Sequence, residues 1–278
     1  PLSIWLCHGL TALGLPVVCL DARHAKAALK LQLNKSDAND ARGLAQIVRT
    51  GWYREVAIKS LDGQLVRALI TARAQLVAQR VDLGNQIRGL LKPFGLLAGK
   101  GEGKTFAEKV RSLVPDGPLH DVVEALLRAW EAINKEVATL SRRLVTEARQ
   151  DDTVRRLMTA PGVGVLVALT YVSTIGDPAR FTHSSSVGAY LGLTPRRFQS
   201  GEADYTGKIS RCGDRLTRTY LYEAAGIILN RVSRWSVLKA WGTRLVRKIG
   251  HKKATVTVAR KLAVILHRMW RDGTEFRW

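Results

Sequence analysis

Two long segments of the chain repeat apolar residues at the spacing of an α-helix, and they restrict the folds open to it. In residues 61–92 and 119–149, leucine, isoleucine, valine and tryptophan recur every three or four positions, which predicts one long helix in each segment. Pro93 and the glycine-rich residues 95–104 separate the two segments. This order predicts an antiparallel helical hairpin or an arm used in oligomerisation. The alternative is that both helices pack in the core of one domain.

A strong excess of positive charge is concentrated towards the C-terminal end of the sequence. The chain has 44 lysines and arginines against 23 acidic residues, and residues 151–278 alone hold 22 basic and 9 acidic side chains. Because like charges repel one another in a folded protein, the net charge of +21 predicts a polyanionic partner. Nucleic acid is the expected partner, and an anionic membrane surface is the alternative. No apolar run of about 18 residues suggests a membrane span.

The cysteines and the start of the sequence bear on the compartment. Cys7, Cys19 and Cys212 lack the paired spacing of a zinc site or of a disulfide framework. The sequence shows no signal peptide. A reducing bacterial cytoplasm, with association to the nucleoid, is therefore the expected location.

The first 58 residues show the order of elements found in α/β proteins. Residues 2–14 have helical spacing, residues 16–21 form a short apolar run typical of a buried strand, and residues 22–31 and 36–49 have helical character. Ser36 is a candidate N-cap for the last of these helices. The order helix, strand, helix predicts a sheet covered by helices.

Two acids at the start of that last helix are candidates for a metal site. Asp37 and Asp40 are three residues apart, so a helix places both carboxylates on one face. Carboxylate oxygens are suitable ligands for Mg²⁺, and phosphoryl transfer uses such clusters. The competing interpretation is that acids are simply favoured at a helix N-terminus by the helix dipole.

Residues 151–278 contain two motifs that fit a phosphate backbone, in a region whose sequence predicts a largely helical fold. Pro161-Gly162-Val163-Gly164 lies between helical segments, where exposed backbone N–H groups can bind phosphate, although a plain tight turn is the alternative. Further on, Ser200 precedes Gly201 and is a candidate nucleophile for a phosphodiester. The alternatives are a structural hydrogen bond from Ser200, or Ser210 as the nucleophile. The nearby cations that would stabilise the phosphate charge are Arg196, Arg197, Lys208, Arg211 and Arg215.

The last part of the sequence mixes cations with tryptophans. Lys252, Lys253 and Arg260 are predicted to neutralise phosphates. Three tryptophans in this part, at positions 235, 241 and 270, can stack on bases or pack in the core, and core packing is the preferred interpretation.

The order of these motifs resembles one group of proteins over essentially the whole chain. The motifs are K-S-D-x-x-D-A at 35–41, P-G-V-G at 161–164, G-L-T-P-R-R-x-x-S-G at 192–201, G-x-I-S-x-x-G at 207–213 and A-R-K-L-A at 259–263. They resemble the DEDD-type insertion-sequence transposases of the IS110 family, which are bridge-RNA-guided recombinases. The segment 192–201 is the most specific of the five.

The resemblance implies a fold, an activity and partners. An RuvC-like (RNase H-like) α/β domain would occupy residues 1–58, a helical coiled-coil linker residues 59–150, and a mostly α-helical transposase domain residues 151–278. Asp37 and Asp40 would match the last two of four Mg²⁺-binding acids, and Ser200 would match the serine that links covalently to DNA. Double-stranded DNA, a guide RNA and further copies of the chain, as a dimer or tetramer, would be the partners, with no membrane involved.

The sequence departs from the family pattern at its start. The first two acids of the pattern have no counterpart here, and Pro1 lies inside an amphipathic segment, so the chain resembles an N-terminally truncated member with half of the metal site. Two alternatives to an active recombinase follow. One is a non-catalytic nucleic-acid-binding protein, and the other is an inactive remnant of a transposase.

Overall fold

The computed structural model describes residues 2–30, 34–101 and 103–278. The chain divides into two compact units, Pro1–Leu61 and Asp62–Trp278. Helices account for most of both units. Among the described residues, no helix is both long enough and apolar enough to cross a membrane.

The first unit contains three helices and one short β-pairing. Its helices are α1 (Leu2–Ala12), α2 (Ala22–Leu29) and α3 (Asp37–Thr50). Ser36 is the N-cap of α3, as predicted, and its Oγ accepts a hydrogen bond from the Asn39 amide at 3.2 Å. Buried Cys7 of α1 lies beside Cys19, and burial together with the Cys7 thiol raises the pKa of Cys19.

The strand predicted at residues 16–21 is wrong. Only Leu20 pairs, as an isolated antiparallel bridge with Glu55, supported by hydrogen bonds from the Asp21 amide to the Arg54 carbonyl and from the Val56 amide to the Cys19 carbonyl. A β-strand needs a partner along its length to satisfy its backbone groups, and within residues 2–30 and 34–61 the pairing ends after this bridge. The α/β sheet predicted for residues 1–58 is therefore not formed by the part of this unit that the structure describes.

The second unit begins with the predicted helical hairpin. Helix α4 (Leu61–Leu91) and helix α6 (Pro118–Gln150) run antiparallel. Arg73 Nε donates to Ser141 Oγ at 2.7 Å, and Arg80 Nη1 donates to Asn134 Oδ1 at 3.5 Å. From the first contact to the second, the residue number rises by seven in α4 and falls by seven in α6. This is the register of two antiparallel helices with a heptad repeat. The antiparallel arrangement predicted for the two helices is therefore present, and the alternative of core packing holds for one end of the pair.

A further helix closes the tip of this hairpin, where the sequence predicted only a loop. After a 3₁₀ turn at Lys92–Phe94, α5 (Lys104–Leu113) follows the glycine-rich stretch. Its Phe106 and Val110 are buried with Ile87 and Leu91 of α4 in a separate small core. Arg111 of α5 then binds two acids of α6, Glu124 at 2.9 Å and Glu131 at 2.8 Å, and these hydrogen bonds lower the pKa of both carboxyls.

The other end of the hairpin is part of the C-terminal core. Ile70 of α4 and Leu144 of α6 belong to the same buried cluster as the C-terminal helices. These helices are α7 (Asp152–Leu157), α8 (Val165–Ile175), α9 (Ser186–Tyr190), α10 (Arg215–Asn230), α11 (Val237–Ile249) and α12 (His251–Asp272), with a 3₁₀ turn at Pro178–Arg180. Helix α12 is central, because Val258, Leu262 and Leu266 along one face are fully buried.

The largely helical C-terminal region also contains a β-hairpin that the sequence did not predict. Strand β1 (Pro195–Ser200) pairs antiparallel with β2 (Ala203–Ile209), between α9 and α10. Nearly all of its residues are exposed, so it lacks the alternation of buried and exposed positions by which strands are recognised.

A buried histidine fixes α12 to the loop after α8. His267 is fully buried, its Nδ1 lies 2.9 Å from Ser184 Oγ, and its Nε2 lies 3.0 Å from the Pro178 carbonyl oxygen. A neutral ring satisfies both contacts, donating from Nε2 and accepting at Nδ1. Burial lowers the pKa of His267, and the charge of Arg271 lowers it further. Together these effects outweigh the hydrogen bond to Pro178 and the charge of Asp272, which raise it.

We expect this histidine to make stability depend on pH. The unfolded ring, with a pKa of about 6.5, binds more protons than the folded ring. Its contribution is therefore complete above about pH 6.5 and is lost as the pH falls below it. Urea unfolding at pH 7.5 and 5.5 should show a smaller pH dependence for His267→Gln, which also loses about 1–3 kcal/mol through its buried partners. His183→Gln, an exposed histidine on the same loop, should behave as wild type. Equal pH dependence in all three proteins would contradict this assignment.

Candidate serine site and nucleic-acid interface

Ser200 lies at the tip of the β-hairpin. It is the last residue of β1, pairs with Ala203, and is followed by the two-residue turn Gly201-Glu202, where Gly201 has a left-handed φ of +56°. Ser200 is exposed, and its hydroxyl has no hydrogen-bond partner among the residues that the structure describes. The hydroxyl is thus presented to solvent on a projecting turn.

An aromatic pair lies on the same face of the hairpin as Ser200. Phe198 and Tyr205 are directly opposite each other, two pairs away from Ser200 and Ala203, and the one intervening pair lies on the other face. Their rings stack with centroids 5.2 Å apart and planes 20° apart, although both are exposed. Such a cross-strand pair contributes about 0.2–1 kcal/mol to the stability of a sheet. It therefore stabilises a hairpin that has no core of its own.

The cations predicted around Ser200 lie along the stem of the hairpin and at its base instead. Arg197 is three residues, or about 10 Å, from Ser200 along the strand. Its guanidinium forms a double hydrogen bond with Asp204, at 2.9 and 2.6 Å, and this lowers the pKa of Asp204. Arg196 donates to the Ser210 carbonyl at 3.3 Å. Lys208, Arg211 and Arg215 are exposed. Within one chain, the described cations therefore do not surround the serine.

The base of the hairpin is fixed by a close backbone approach. The Ser210 amide donates to the Thr194 carbonyl at 2.8 Å, and the Arg211 amide donates to the Gly192 carbonyl at 3.1 Å. Gly192 has a φ of +68°, and a Cβ on it would lie 2.2 Å from the Cys212 carbonyl oxygen. Only glycine fits there. Arg218 of α10 donates to the carbonyls of Leu191, at 3.2 Å, and Cys212, which ties both sides of the base to the helix.

A partly buried ion pair connects this base to the helical hairpin. Asp214 is the N-cap of α10, and its Oδ1 accepts hydrogen bonds from the amide and the hydroxyl of Thr217, both at 2.7 Å. Its Oδ2 binds the guanidinium of Arg67 from α4. Thr174 of α8 completes the network, 2.7 Å from the Thr217 hydroxyl. Burial alone raises the pKa of Asp214, but the hydrogen bonds from Thr217 and Arg67 outweigh it and hold this pKa below its ordinary value.

Asp37 and Asp40 occupy the first turn of α3, on one face as predicted. Asp37 is exposed, and Asp40 lies 3.7 Å from the Lys35 amino group in a loose surface pair. Among the described residues, no group of three or more histidines, cysteines or acids is close enough to hold a metal ion. Mg²⁺ is commonly bound through one or two carboxylates, with water and phosphate as the remaining ligands. Two carboxylates on one face fit that requirement.

The P-G-V-G turn leads into α8. Gly162 has a φ of +74°, and a Cβ on it would lie 2.6 Å from the Ala224 carbonyl oxygen of α10. The close packing against α10 therefore requires a glycine at this position. Gly164, the exposed N-cap of α8, has no side-chain cap, so free helix N–H groups point outwards at this residue.

The predicted cations of the last helix differ in their surroundings. Lys252 and Lys253 are exposed at the N-terminus of α12. Arg260 is exposed as well, but the stem of its side chain packs against α9, where a Cβ on Gly188 would lie 3.0 Å from its Cγ. The tryptophans also differ, since Trp235 is exposed whereas Trp241 and Trp270 are partly buried against the core.

Comparison with known proteins settles the family. The family described as transposase IS116/IS110/IS902 matches residues 154–240, and a DEDD transposase family of the IS110 type matches residues 2–95. The chain is 30% identical over 260 residues to the transposase for insertion sequence element IS1111A of Coxiella burnetii, covering 91% of this chain and 71% of that protein. It belongs to the IS110/IS116/IS902 family of transposases.

Other relatives give the same result. The transposase for insertion sequence element IS1328 of Yersinia enterocolitica is 27% identical over 251 residues, covering 87% of this chain and 74% of that protein. An insertion element IS116 protein of 44.8 kDa from Streptomyces clavuligerus is 25% identical over 297 residues, with 87% and 72% coverage. The family resemblance inferred from the motifs is confirmed, and the chain is a DNA transposase by membership.

Several residues that shape this transposase site were missed by the sequence analysis. Asp214 with Thr217 has the spacing of a helix N-cap and could have been recognised. Arg67 could not have been recognised, because its partner Asp214 is 147 residues away in the sequence. Arg218 could not either, because it binds backbone carbonyls, which no sequence motif marks.

We expect the Arg67–Asp214 pair to stabilise the transposase. Asp214→Asn should lower the free energy of unfolding by about 1–3 kcal/mol, less than the roughly 3–5 kcal/mol for breaking a fully buried pair, because Arg67 is partly exposed. Since the folded pKa of Asp214 is lowered, the wild type should lose this stability as the pH falls below about 4, and the variant should not. The matched control is Asp152→Asn, which breaks an exposed pair with Arg155 and should change stability by less than about 0.5 kcal/mol. If the two variants lowered the free energy of unfolding equally in urea, the partial burial of the Arg67–Asp214 pair would not add to its stabilising effect.

Proposed function

We propose that this transposase cleaves and rejoins DNA through a covalent Ser200–phosphate intermediate. The observation that carries the proposal is the position of Ser200, exposed on the turn of a projecting β-hairpin with its hydroxyl free of hydrogen bonds among the described residues. The structural hydrogen bond considered as the alternative role of Ser200 is not made to any residue that the structure describes, and water can satisfy the exposed hydroxyl. A nucleophile has to reach the phosphorus atom of a bulky duplex, and a projecting turn allows that approach.

The proposed reaction keeps the energy of the broken phosphodiester bond in a serine–phosphate ester, so that the strands can be rejoined without another energy source. The Ser200 Oγ attacks phosphorus and loses its hydroxyl proton to water as the Oγ–P bond forms. The P–O bond of one DNA strand breaks, and the leaving oxygen becomes a hydroxyl by taking up a proton. A DNA hydroxyl then attacks the same phosphorus and displaces the serine, which joins the strands. The exposed cations Lys208, Arg211 and Arg215 would position the DNA backbone near the hairpin.

Asp37 and Asp40 would hold a divalent metal, Mg²⁺, in an RuvC-like domain. Such an ion, when bound, stabilises negative charge on phosphate oxygens. The two acids contribute carboxylate oxygens from one helix face, and Lys35 lies near enough to Asp40 to compete with the cation. The match of residues 2–95 to a DEDD transposase family supports this part of the proposal.

The resemblance further supports an oligomer and a guide RNA. In a dimer or tetramer, carboxylates of one copy would meet the serine of another, and a Ser200 hydroxyl without a hydrogen-bonded base in the described part of this chain agrees with such a composite site. A guide RNA would share the basic surface with DNA, where Gly164, Lys252 and Lys253 are exposed.

The serine can be tested against its alternative within the same motif. With a plasmid that carries the gene and its native flanking DNA, Ser200→Ala should abolish the covalent protein–DNA adduct and lower recombination by about 1000-fold or more. Ser210→Ala should leave both unchanged, because Ser210 is half-buried and only accepts a weak 3.4 Å bond from the Cys212 amide. Adducts would be mapped by mass spectrometry. An adduct that survives in Ser200→Ala and disappears in Ser210→Ala would transfer the role to Ser210.

The metal ligands can be tested by binding. Asp37→Asn and Asp40→Asn should each weaken Mn²⁺ binding, measured by electron paramagnetic resonance, by about tenfold or more, since even outer-shell changes alter metal affinity 10–100-fold. The matched control is Asp62→Asn, another acid in the first turn of a helix, which should leave binding unchanged. Equal binding by all three variants would mean that the acids only favour the helix N-terminus.

A further inference from the structure

A concave groove opens between α11, α12 and the last residues of the chain. It has a volume of about 640 Å³, within the range of about 300–1,000 Å³ that holds small ligands. None of the motifs discussed for the serine or the metal lies in it. Its lining combines apolar and charged side chains in a regular order.

Both helices present the same arrangement to the groove. Helix α11 contributes Val237, Trp241 and Arg244, and α12 contributes Lys261, Ile265 and Arg268. In each set the residues are four and then three apart, which places them in one stripe along a helix. The middle residue of each stripe is apolar, as is Val237 at one end of the α11 stripe, and the other three ends are the cations Arg244, Lys261 and Arg268.

Three of the cations that line the groove have no polar partner among the residues that the structure describes. Within residues 2–30, 34–101 and 103–278, Arg244, Lys261 and Arg268 have neither a hydrogen bond nor an ion pair. Unpaired cations beside an apolar surface suit a ligand that is an anion at one end and a flat apolar ring at the other.

The last residues of the chain form the third side of the groove and add hydrogen-bond acceptors to it. Phe276 lines the groove, and its amide is held by the Thr159 hydroxyl at 3.0 Å. Glu275 and Asp272 also line it, and Asp272 is paired with Arg271 at 3.0 Å. A carboxylate such as that of Glu275 can accept a hydrogen bond from an exocyclic amino group of a base, whereas it would repel a second phosphate.

We propose that this groove binds an unpaired nucleotide of a single nucleic-acid strand, with the base between Trp241 and Phe276 and the phosphates on Arg244, Lys261 and Arg268. A duplex keeps its bases stacked and offers only their edges in the grooves, so an unpaired strand is the favoured ligand, because extruding a base from a duplex costs unstacking and unpairing energy. Aromatic side chains flanked by cations are the usual means of binding such strands. The inference rests on the proposed nucleic-acid function and assigns a separate site to it.

The test measures strand and duplex binding in parallel, by fluorescence anisotropy on the full chain. The probes are oligo-dT and oligo-U of about 12 nucleotides and a blunt DNA duplex. Trp241→Leu should weaken binding of a single strand about 5- to 100-fold and leave duplex binding unchanged. Whichever single strand binds more tightly identifies DNA or RNA as the source of the nucleotide.

A second variant keeps the test valid if Trp241→Leu folds poorly. Arg244→Gln with Arg268→Gln removes two exposed cations and should weaken single-strand binding, reducing the slope of log affinity against log salt by about 0.7 per lost phosphate contact. Arg247→Gln, an exposed cation of α11 outside the groove, is the matched control. Photo-crosslinking of a strand that contains 5-iodouracil should label Trp241 or Phe276.

The results separate this inference from the proposed function. If the groove variants bind single strands as tightly as Arg247→Gln, or lose strand and duplex binding in the same proportion, the groove is not a nucleotide site, while Ser200 chemistry is unaffected. If wild type forms no covalent adduct with DNA but the groove variants still lose strand binding selectively, the proposed function fails and the nucleotide site remains.

Discussion

The ion pair between Arg67 and Asp214 is the interaction on which the arrangement of the C-terminal unit depends. It joins the first long helix to the start of α10, at the point where the chain leaves the serine hairpin. A buried carboxylate is costly unless it is paired and hydrogen-bonded, and Thr217 and Thr174 supply the remaining partners. The same helix start also receives Arg218, which fixes the base of the hairpin. The base of the hairpin that carries the exposed Ser200 is therefore held by a partly buried polar network.

The two proposed sites of this unit differ in how they are built. The serine hairpin has no core, and its stability comes from the Phe198–Tyr205 stack, the Arg197–Asp204 pair and the fixed base. The C-terminal groove lies instead on two packed helices, where Trp241 and Ile265 border the main core. A projecting turn suits a nucleophile that has to reach a large substrate, and a rigid concave surface suits recognition of one nucleotide. Both lie in the most basic part of the chain.

Much of the chain could be predicted from sequence because the relevant signals are local. The helices at residues 61–91 and 118–150, the Ser36 cap and the placement of Asp37 and Asp40 on one face depend on neighbours within a few residues. The predicted strand at residues 16–21 was wrong because an apolar run becomes a strand only when another strand pairs with it. The β1–β2 hairpin was missed for the opposite reason, since it is exposed on both faces and has no apolar alternation.

By itself, the sequence determined the family, the excess of charge and the identity of the candidate serine and acids, because motifs and composition are properties of the linear chain. Only the tertiary structure decided that Ser200 projects from a turn, that Gly162 is required by the Ala224 carbonyl, and that Arg67 reaches Asp214. It also decided that the cations expected around Ser200 line the stem of the hairpin, and that Trp241 faces a groove. These facts depend on contacts between residues far apart in sequence, and no local pattern specifies such contacts.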